Sequence, residues 1–402
     1  MIAPSSMPTS EATLESTTES TPISIWGAGC AGLSLARYLA PHLRSGTLSR
    51  PVYVHGAVSS AVQKSHIWGF WQTKWLSQAA ALSRKSWEQW QIITATSRVT
   101  QTSSAYPYHA LDSAVWLQDC IADAKDTISH SADVPQKIDA KIDAKIDDRI
   151  DARIDDRIDD ILIFDSRTPD IPENSLLQHF IGLEIKTPHP VFDAGVVTLM
   201  DFRCDQSRGI HFIYLLPFSA DTALVESTLF SAQQEDREFY IAAINRYLRD
   251  NYQLENFQIL REEAGCIPMN FLMPRDPALL AIGANGGCVR ASSGYAFAFI
   301  QKQVQQIAQR LAKGQKITKT PDPHRQIDKW LDRVFLGVLK AHPEAAPELF
   351  LRMGRALTGD ELAKFMSGFA DVSIYAKLIL AMPKRMFIRQ IVPAFTQNRT
   401  RG

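Results

Sequence analysis

Residues 22–40 read PISIWGAGCAGLSLARYLA, a short apolar strand that runs into a glycine-rich turn and then a helix. Ile23 to Trp26 supply a buried strand. In the turn Gly27-Ala28-Gly29, Gly27 permits the sharp change of direction and Gly29 lets backbone approach a pyrophosphate; Gly32 then lets the helix pack closely on the strand. The helix N-terminus presents free N–H groups and its positive dipole end to phosphates. A tight turn with no ligand would show the same glycines. The strand before them and the helical Leu33, Leu35, Ala36 and Leu39 after them favour a dinucleotide site.

In such folds an acid about 20 residues further on, at the end of the second strand, binds a ribose hydroxyl. No Asp or Glu occurs between Glu19 and Glu88. The second strand reads PVYVH at residues 51–55, so His55 stands at that place, either to donate to the ribose or simply to close the strand. ILIFDSR at 161–167 reads as a further buried strand ending in Asp165, and ligands in α/β sheets lie beyond the carboxyl ends of strands. A last strand near Leu279 leads into Gly283, Gly286 and Gly287, which suit close backbone approach to a ligand before a helix over 296–313.

The 402 residues are enough for two or three domains, and 43 basic residues balance 43 acidic ones, so nothing points to a nucleic-acid partner. The five cysteines lack CxxC spacing and an even count, which fits a reducing cytoplasm better than a disulfide frame or a metal site. Residues 1–21, rich in Ser, Thr and Glu, read as a disordered tail. No run approaches the roughly 18 apolar residues of a membrane span. Residues 137–160 repeat a Lys/Arg-Ile-Asp tetrapeptide six times and read as a surface insertion without chemistry of its own.

Between Gln178 and Phe230 the pattern changes to alternation and turns, with strands expected at 180–186, 196–202, 211–217 and 223–230. The chain therefore divides into an α/β dinucleotide-binding domain at 22–175 and 270–315, an inserted antiparallel-sheet domain at 176–269, and a helical region at 316–402. Glu226, in ALVESTLF, has apolar neighbours that would raise its pKa by desolvation and make it a proton donor near neutral pH. Alternation equally allows a solvent-facing position. Upstream, His66, Trp68, Phe70 and Trp71 of HIWGFW suggest an apolar, aromatic lining. Near the C-terminus, residues 374–395 mix apolar side chains with Lys377, Lys384, Arg385 and Arg389, as a helix lying on a membrane would; a core-packing helix pair broken at Pro383 is the alternative.

With GAGCAG at 27–32, HIWGFW at 66–71, DSR at 165–167, QHFIGLEI at 178–185, LMDFR at 199–203, FIYLLPFSADTALVEST at 212–228, IPM at 267–269 and IGANGGCVRASSGYAF at 282–297, the chain resembles the bacterial-type, flavin-dependent lycopene cyclases. The resemblance implies a Rossmann-like FAD-binding fold of the aromatic hydroxylase and geranylgeranyl reductase type, with residues 282–287 approaching the flavin. His55 departs from the acid usual there. It also implies a redox-neutral cyclisation of a hydrophobic polyene, assisted by reduced FAD with NAD(P)H as reductant, on a protein peripheral at the inner face of the membrane. Glu226 matches the family's functional glutamate, and HIWGFW would line the cavity and face the cation with its rings. A flavin-dependent polyene reductase or monooxygenase, or a non-catalytic carotenoid or lipid binder, are the alternatives.

Overall fold

The computed structural model describes residues 21–58, 62, 65–134, 162–173 and 175–399; residues 1–20 of the tail and the whole 137–160 repeat lie outside them. β1 (Ile23–Trp26), buried along its length, runs parallel between β2 (Val52–His55) and β9 (Leu162–Asp165). β8 (Ser129–Ser131) extends this sheet beyond β2, and β15 (Leu280–Ala281) beyond β9. Register aligns Ala281, Asp165, Trp26, His55 and Ser131 along one carboxyl edge. The chain leaves β1 toward β2 and returns to β9 on the other side, so the turn at Gly27 opens where ligands bind in such sheets.

The helix Cys30–Arg44 follows with Gly29 as N-cap and no side chain capping it. It packs against helices Ser113–Ala124 and Phe297–Ala312. Their shared polar anchor is Ser34, whose hydroxyl accepts from Trp116 Nε1 and Gln301 Nε2, both at 2.9 Å. Arg37 ties its helix to Ser113–Ala124 by pairing with Asp119 and, at 3.2 Å, with Asp123.

The second sheet has the order β14-β10-β13-β12-β11-β5-β6, made of β5 (Gln89–Ile93), β6 (Arg98–Thr102), β10 (Leu176–Lys186), β11 (Val196–Asp201), β12 (Ile210–Pro217), β13 (Thr222–Ser231) and β14 (Gln258–Met269). Its pairs are antiparallel except β11 with β5. The four expected strands are present, joined by β14 and by the hairpin at 89–102, which precedes the inserted segment in sequence. Helix Arg237–Tyr252 covers one face, packing Ile244 and Leu248 on Leu183, Ile213 and Val225. A three-stranded sheet, β3 (Ile67–Trp71), β7 (Tyr108–Asp112) and β4 (Lys85–Trp87), lies on the other face.

The same face meets the C-terminal helices Gln326–Ala341, Ala346–Ala356, Gly359–Met366 and Val372–Ala381. Thr358 and Glu361 begin one of them with a reciprocal capping box, and Asp371 caps the next. Pro383 separates that helix from Lys384–Arg399.

Gly32 shows why the turn is glycine-rich: a Cβ there would stand 1.9 Å from the carbonyl oxygen of Gly27. At Gly29, whose φ of −91° any residue adopts, a Cβ would meet nothing within 4 Å. Gly32→Ala is therefore expected to force the helix away from β1 and lower the urea midpoint, at a cost of about 1–3 kcal/mol or more. Gly29→Ala should unfold close to the parent. Matching midpoints for the two variants would contradict this packing.

Candidate active site

Two features meet at the carboxyl edge of the parallel sheet: an open backbone cradle and a buried charged edge. Gly27, at φ +104°, donates its N–H to the carbonyl of His55 at 2.7 Å. Ser166 Oγ donates to the carbonyls of Trp26 and Gly27, both at 2.9 Å. Gly283, at φ +66°, brings the second glycine turn onto Ala31, so close that a Cβ would stand 2.5 Å from the alanine methyl. Gly286 packs back on the carbonyl of Ala281, whereas Gly287, like Gly29, faces open space. With a glycine as helix N-cap and two glycines facing open volume, these residues fit a dinucleotide pyrophosphate.

His55 is buried at the end of β2, where the ribose-binding group belongs. Asp165 is fully buried and spends both carboxylate oxygens on Arg167, at 2.8 and 2.9 Å, while its carbonyl accepts from Ile282 N and Asn285 Nδ2. It therefore ties β9 to the second glycine turn.

Glu226 lies on β13 at the centre of the second sheet and is 8 % exposed, because both faces are covered. Directly opposite residues in a sheet share a face. Register places Tyr214 of β12 on one side of Glu226, Gly182 of β10 on the other, and Glu263 of β14 beyond Gly182. The row Glu263–Gly182–Glu226–Tyr214 thus carries two buried carboxyls flanking a residue without a side chain. Thr228 Oγ1 donates to Glu226 Oε1 at 2.6 Å. Glu263 Oε2 accepts from Ile67 N at 3.0 Å and lies 3.3 Å from Arg261 Nη2.

In the next row Arg261 stands opposite Glu184, which Arg84 holds through two hydrogen bonds of 2.9 and 2.7 Å. Facing Glu226 is a knot of phenols. Tyr108 Oη sits 2.9 Å from Tyr214 Oη and 3.0 Å from Tyr295 Oη. Gly69 admits them, since a Cβ there would fall 2.1 Å from Tyr108 Oη.

The family model for lycopene cyclase proteins matches residues 23–391. The chain belongs to the lycopene cyclase family. A curated relative, the lycopene beta-cyclase of Pseudescherichia vulneris, is 30% identical over 126 residues, a match that spans 29% of this chain and 32% of that protein. Among solved structures, a geranylgeranyl bacteriochlorophyll reductase-like protein from Thermoplasma acidophilum superposes with a TM-score of 0.56 at 11% identity, covering 94% of this chain and 99% of that one. A flavoprotein/dehydrogenase from Cytophaga hutchinsonii does so with a TM-score of 0.51 at 11% identity, covering 87% and 93%. The fold of this lycopene cyclase family member is therefore the one used by flavoproteins and geranylgeranyl reductase-like proteins.

Within this family member, strand alternation divides the residues of HIWGFW. Ile67 and Trp71 face the second sheet, where the Trp71 ring lies 4.8 Å from that of Tyr108 and 5.7 Å from that of Trp90. Trp68 and Phe70 turn the other way, onto Phe297 at 5.0 and 5.3 Å, inside the core of the nucleotide-binding domain. His66 sits just before the strand, where its backbone exchanges hydrogen bonds with Ser113. The sequence by itself assigned no role to Glu263, Gly182 or the three tyrosines. The available hint was REEAGCIPM, where Glu263 alternates with Arg261 and Gly265 on one strand face.

Burial, and next the charge of Glu263, push the Glu226 carboxyl up to about 8; the Thr228 hydroxyl opposes the shift. Glu263 rises to about 7, again through burial, against the pull of Arg261 and the Ile67 N–H. Unfolded, such a carboxyl titrates near 4.5. Between that value and about 8 the native state keeps a proton that the unfolded chain releases, so stability falls as pH rises through this window. Below it the contribution is fully present. Glu226→Gln removes the dependence, so its urea midpoint relative to the parent should improve steadily from roughly pH 5 to pH 8. A constant difference across that range would mean that Glu226 titrates normally.

Proposed function

We propose that this chain is a carotenoid cyclase that converts the acyclic ends of a lycopene-like polyene into rings without net redox change. The observation that carries this reading is Glu226, a buried carboxyl whose surroundings hold its proton near neutral pH. It donates that proton to the terminal double bond, leaving a tertiary carbocation. The neighbouring alkene then attacks the cation, the ring bond forms, and loss of a proton from the adjacent carbon sets the final double bond. The substrate and product are isomers.

Each surrounding residue has a task in this scheme. Thr228 fixes the carboxyl oxygen, and Tyr108, Tyr214 and Tyr295 present electron-rich, uncharged rings beside it. Trp71 and Trp90 exclude water and offer π faces to positive charge. Gly27, Ala28, Gly29 and Gly32 would hold the FAD pyrophosphate, His55 would meet the ribose, and Gly283 to Gly287 would approach the flavin. When bound, FAD in its reduced form, with NAD(P)H as reductant, would supply electron density that stabilises positive charge.

The substrate's apolarity suits a protein docked on a membrane. Val372, Ile379, Leu380 and Ile388 are exposed, beside exposed Lys384, Arg385 and Arg389, and this mixture supports peripheral binding to an anionic inner leaflet. Among the described residues no helix is long and apolar enough to cross a membrane. An apolar cavity of about 180 Å³ in the same helical layer, lined by Leu331, Phe335, Phe350 and Phe387 and bordered by Ser292 and Ser293, offers apolar surface to part of a polyene chain.

Two variants test the scheme. Gly29→Val should fold and lose its flavin absorbance, because the side chain fills the open volume at Gly29; retention of parental flavin content would refute the cradle. Glu226→Gln should keep flavin and fold while ring formation in lycopene-accumulating cells, followed by chromatography, drops about 10,000-fold, the upper range for a positioned acid that starts the whole cascade. Near-parental cyclisation would exclude Glu226 as the acid.

A further inference from the structure

Two acids that face the same buried space cannot titrate independently. Glu226 and Glu263 lie on strands separated by β10, and the residue between them is Gly182. The point where a Gly182 Cβ would stand is 3.4 Å from Glu226 Cβ, 3.2 Å from Glu263 Cγ and 3.1 Å from Leu224 Cδ1. The backbone of Gly182 needs no glycine for its conformation, since its φ is not positive. What glycine provides is the gap, in which the two acidic side chains approach each other over the strand.

The two ends of the gap are unlike. Glu263 has a backbone N–H and a guanidinium to support a negative charge, whereas the contact to Glu226 is one neutral hydroxyl. The groups facing Glu226 from other elements are Tyr214 on β12, Tyr108 on β7, Tyr295 before the helix Phe297–Ala312, and Glu263. Burial drives all three phenols well above their ordinary range, so they stay neutral. Glu263 faces Arg261 on its own strand, Glu184 on β10 and Asp112 at the end of β7. The charge that reaches Glu226 is therefore that of Glu263.

We infer that Glu226 and Glu263 form one electrostatically coupled pair across Gly182, in which ionised Glu263 is the positioning residue that keeps the proton on Glu226. This deepens the assignment of Glu226 as the acid and rests on it for its catalytic consequence. The pairing itself stands on the sheet register. Glu263 acts through Glu226 and gives no proton to the substrate. Its carboxylate is anchored to Ile67, so the strand that carries Trp71 also sets the distance between the two acids.

The test titrates the purified flavin-loaded protein by infrared difference spectroscopy, following the protonated carboxyl band, alongside the pH profile of ring formation on lycopene in lipid vesicles. The band lost in Glu226→Gln identifies Glu226. In Glu263→Gln, which keeps an acceptor for Ile67 N–H, that band should vanish at a pH lower by about 1 unit or more. The alkaline limb of ring formation should move down with it. Glu263→Asp keeps the charge and should restore both. Glu262→Gln, altering the exposed neighbour bound to Arg237, should change neither. An unmoved Glu226 band in Glu263→Gln, or a Glu263→Asp protein that behaves like Glu263→Gln, overturns the pair. Full ring formation by Glu226→Gln with the infrared shift intact would instead remove the acid role while the coupling stands.

Discussion

A carboxylate taken out of water without a partner costs far more than any single hydrogen bond returns, so a buried acid is either neutralised or paired. The second sheet does both within two adjacent rows. Glu184 and Arg261 pair, with Arg84 completing the fork, and their charges are balanced close to the edge. One row away, no cation among the described residues stands beside Glu226, and burial favours its protonated form. Most of the surrounding structure maintains that condition: helix Arg237–Tyr252 seals one face, and the β3-β7-β4 sheet and C-terminal helices seal the other.

The strand β3 joins the two halves of the molecule. Its alternate side chains serve different cores, Trp71 beside the tyrosine knot and Phe70 against Phe297 near the nucleotide cradle, while its first N–H holds Glu263. One short, well-packed strand thus touches both the core beside the cradle and the acid pair. Tyr295 strengthens this link, since it lies between the second glycine turn and helix Phe297–Ala312 and its hydroxyl reaches Tyr108. The geometry suits the cyclisation proposed above, in which an acid and an electron-rich group must address one end of a polyene together.

What lay open in the chain itself was local. A strand, three glycines and a helix follow one another within residues 22–40, and a near neighbour in sequence explains Gly32, which packs on the carbonyl of Gly27. Alternation revealed four strands of the second sheet, and the position of His55 and Asp165 followed from strand ends. Alternation left two faces open for Glu226, because period two separates the faces of a strand without saying what covers each.

Sequence alone therefore determined the strand, glycine turn and helix at 22–40 and the class of the fold, and singled out Glu226, because these rest on residues close in the chain or on motifs read whole. Only the tertiary structure decided that Glu226 is sealed from solvent and that Glu263 shares its space. Residues 182, 226 and 263 come together through the register of three strands, and Tyr108 and Tyr295 arrive from other elements. The raised pKa of the acid is a property of that assembled surface, since desolvation and the charge of a neighbour exist only once the strands are paired and covered.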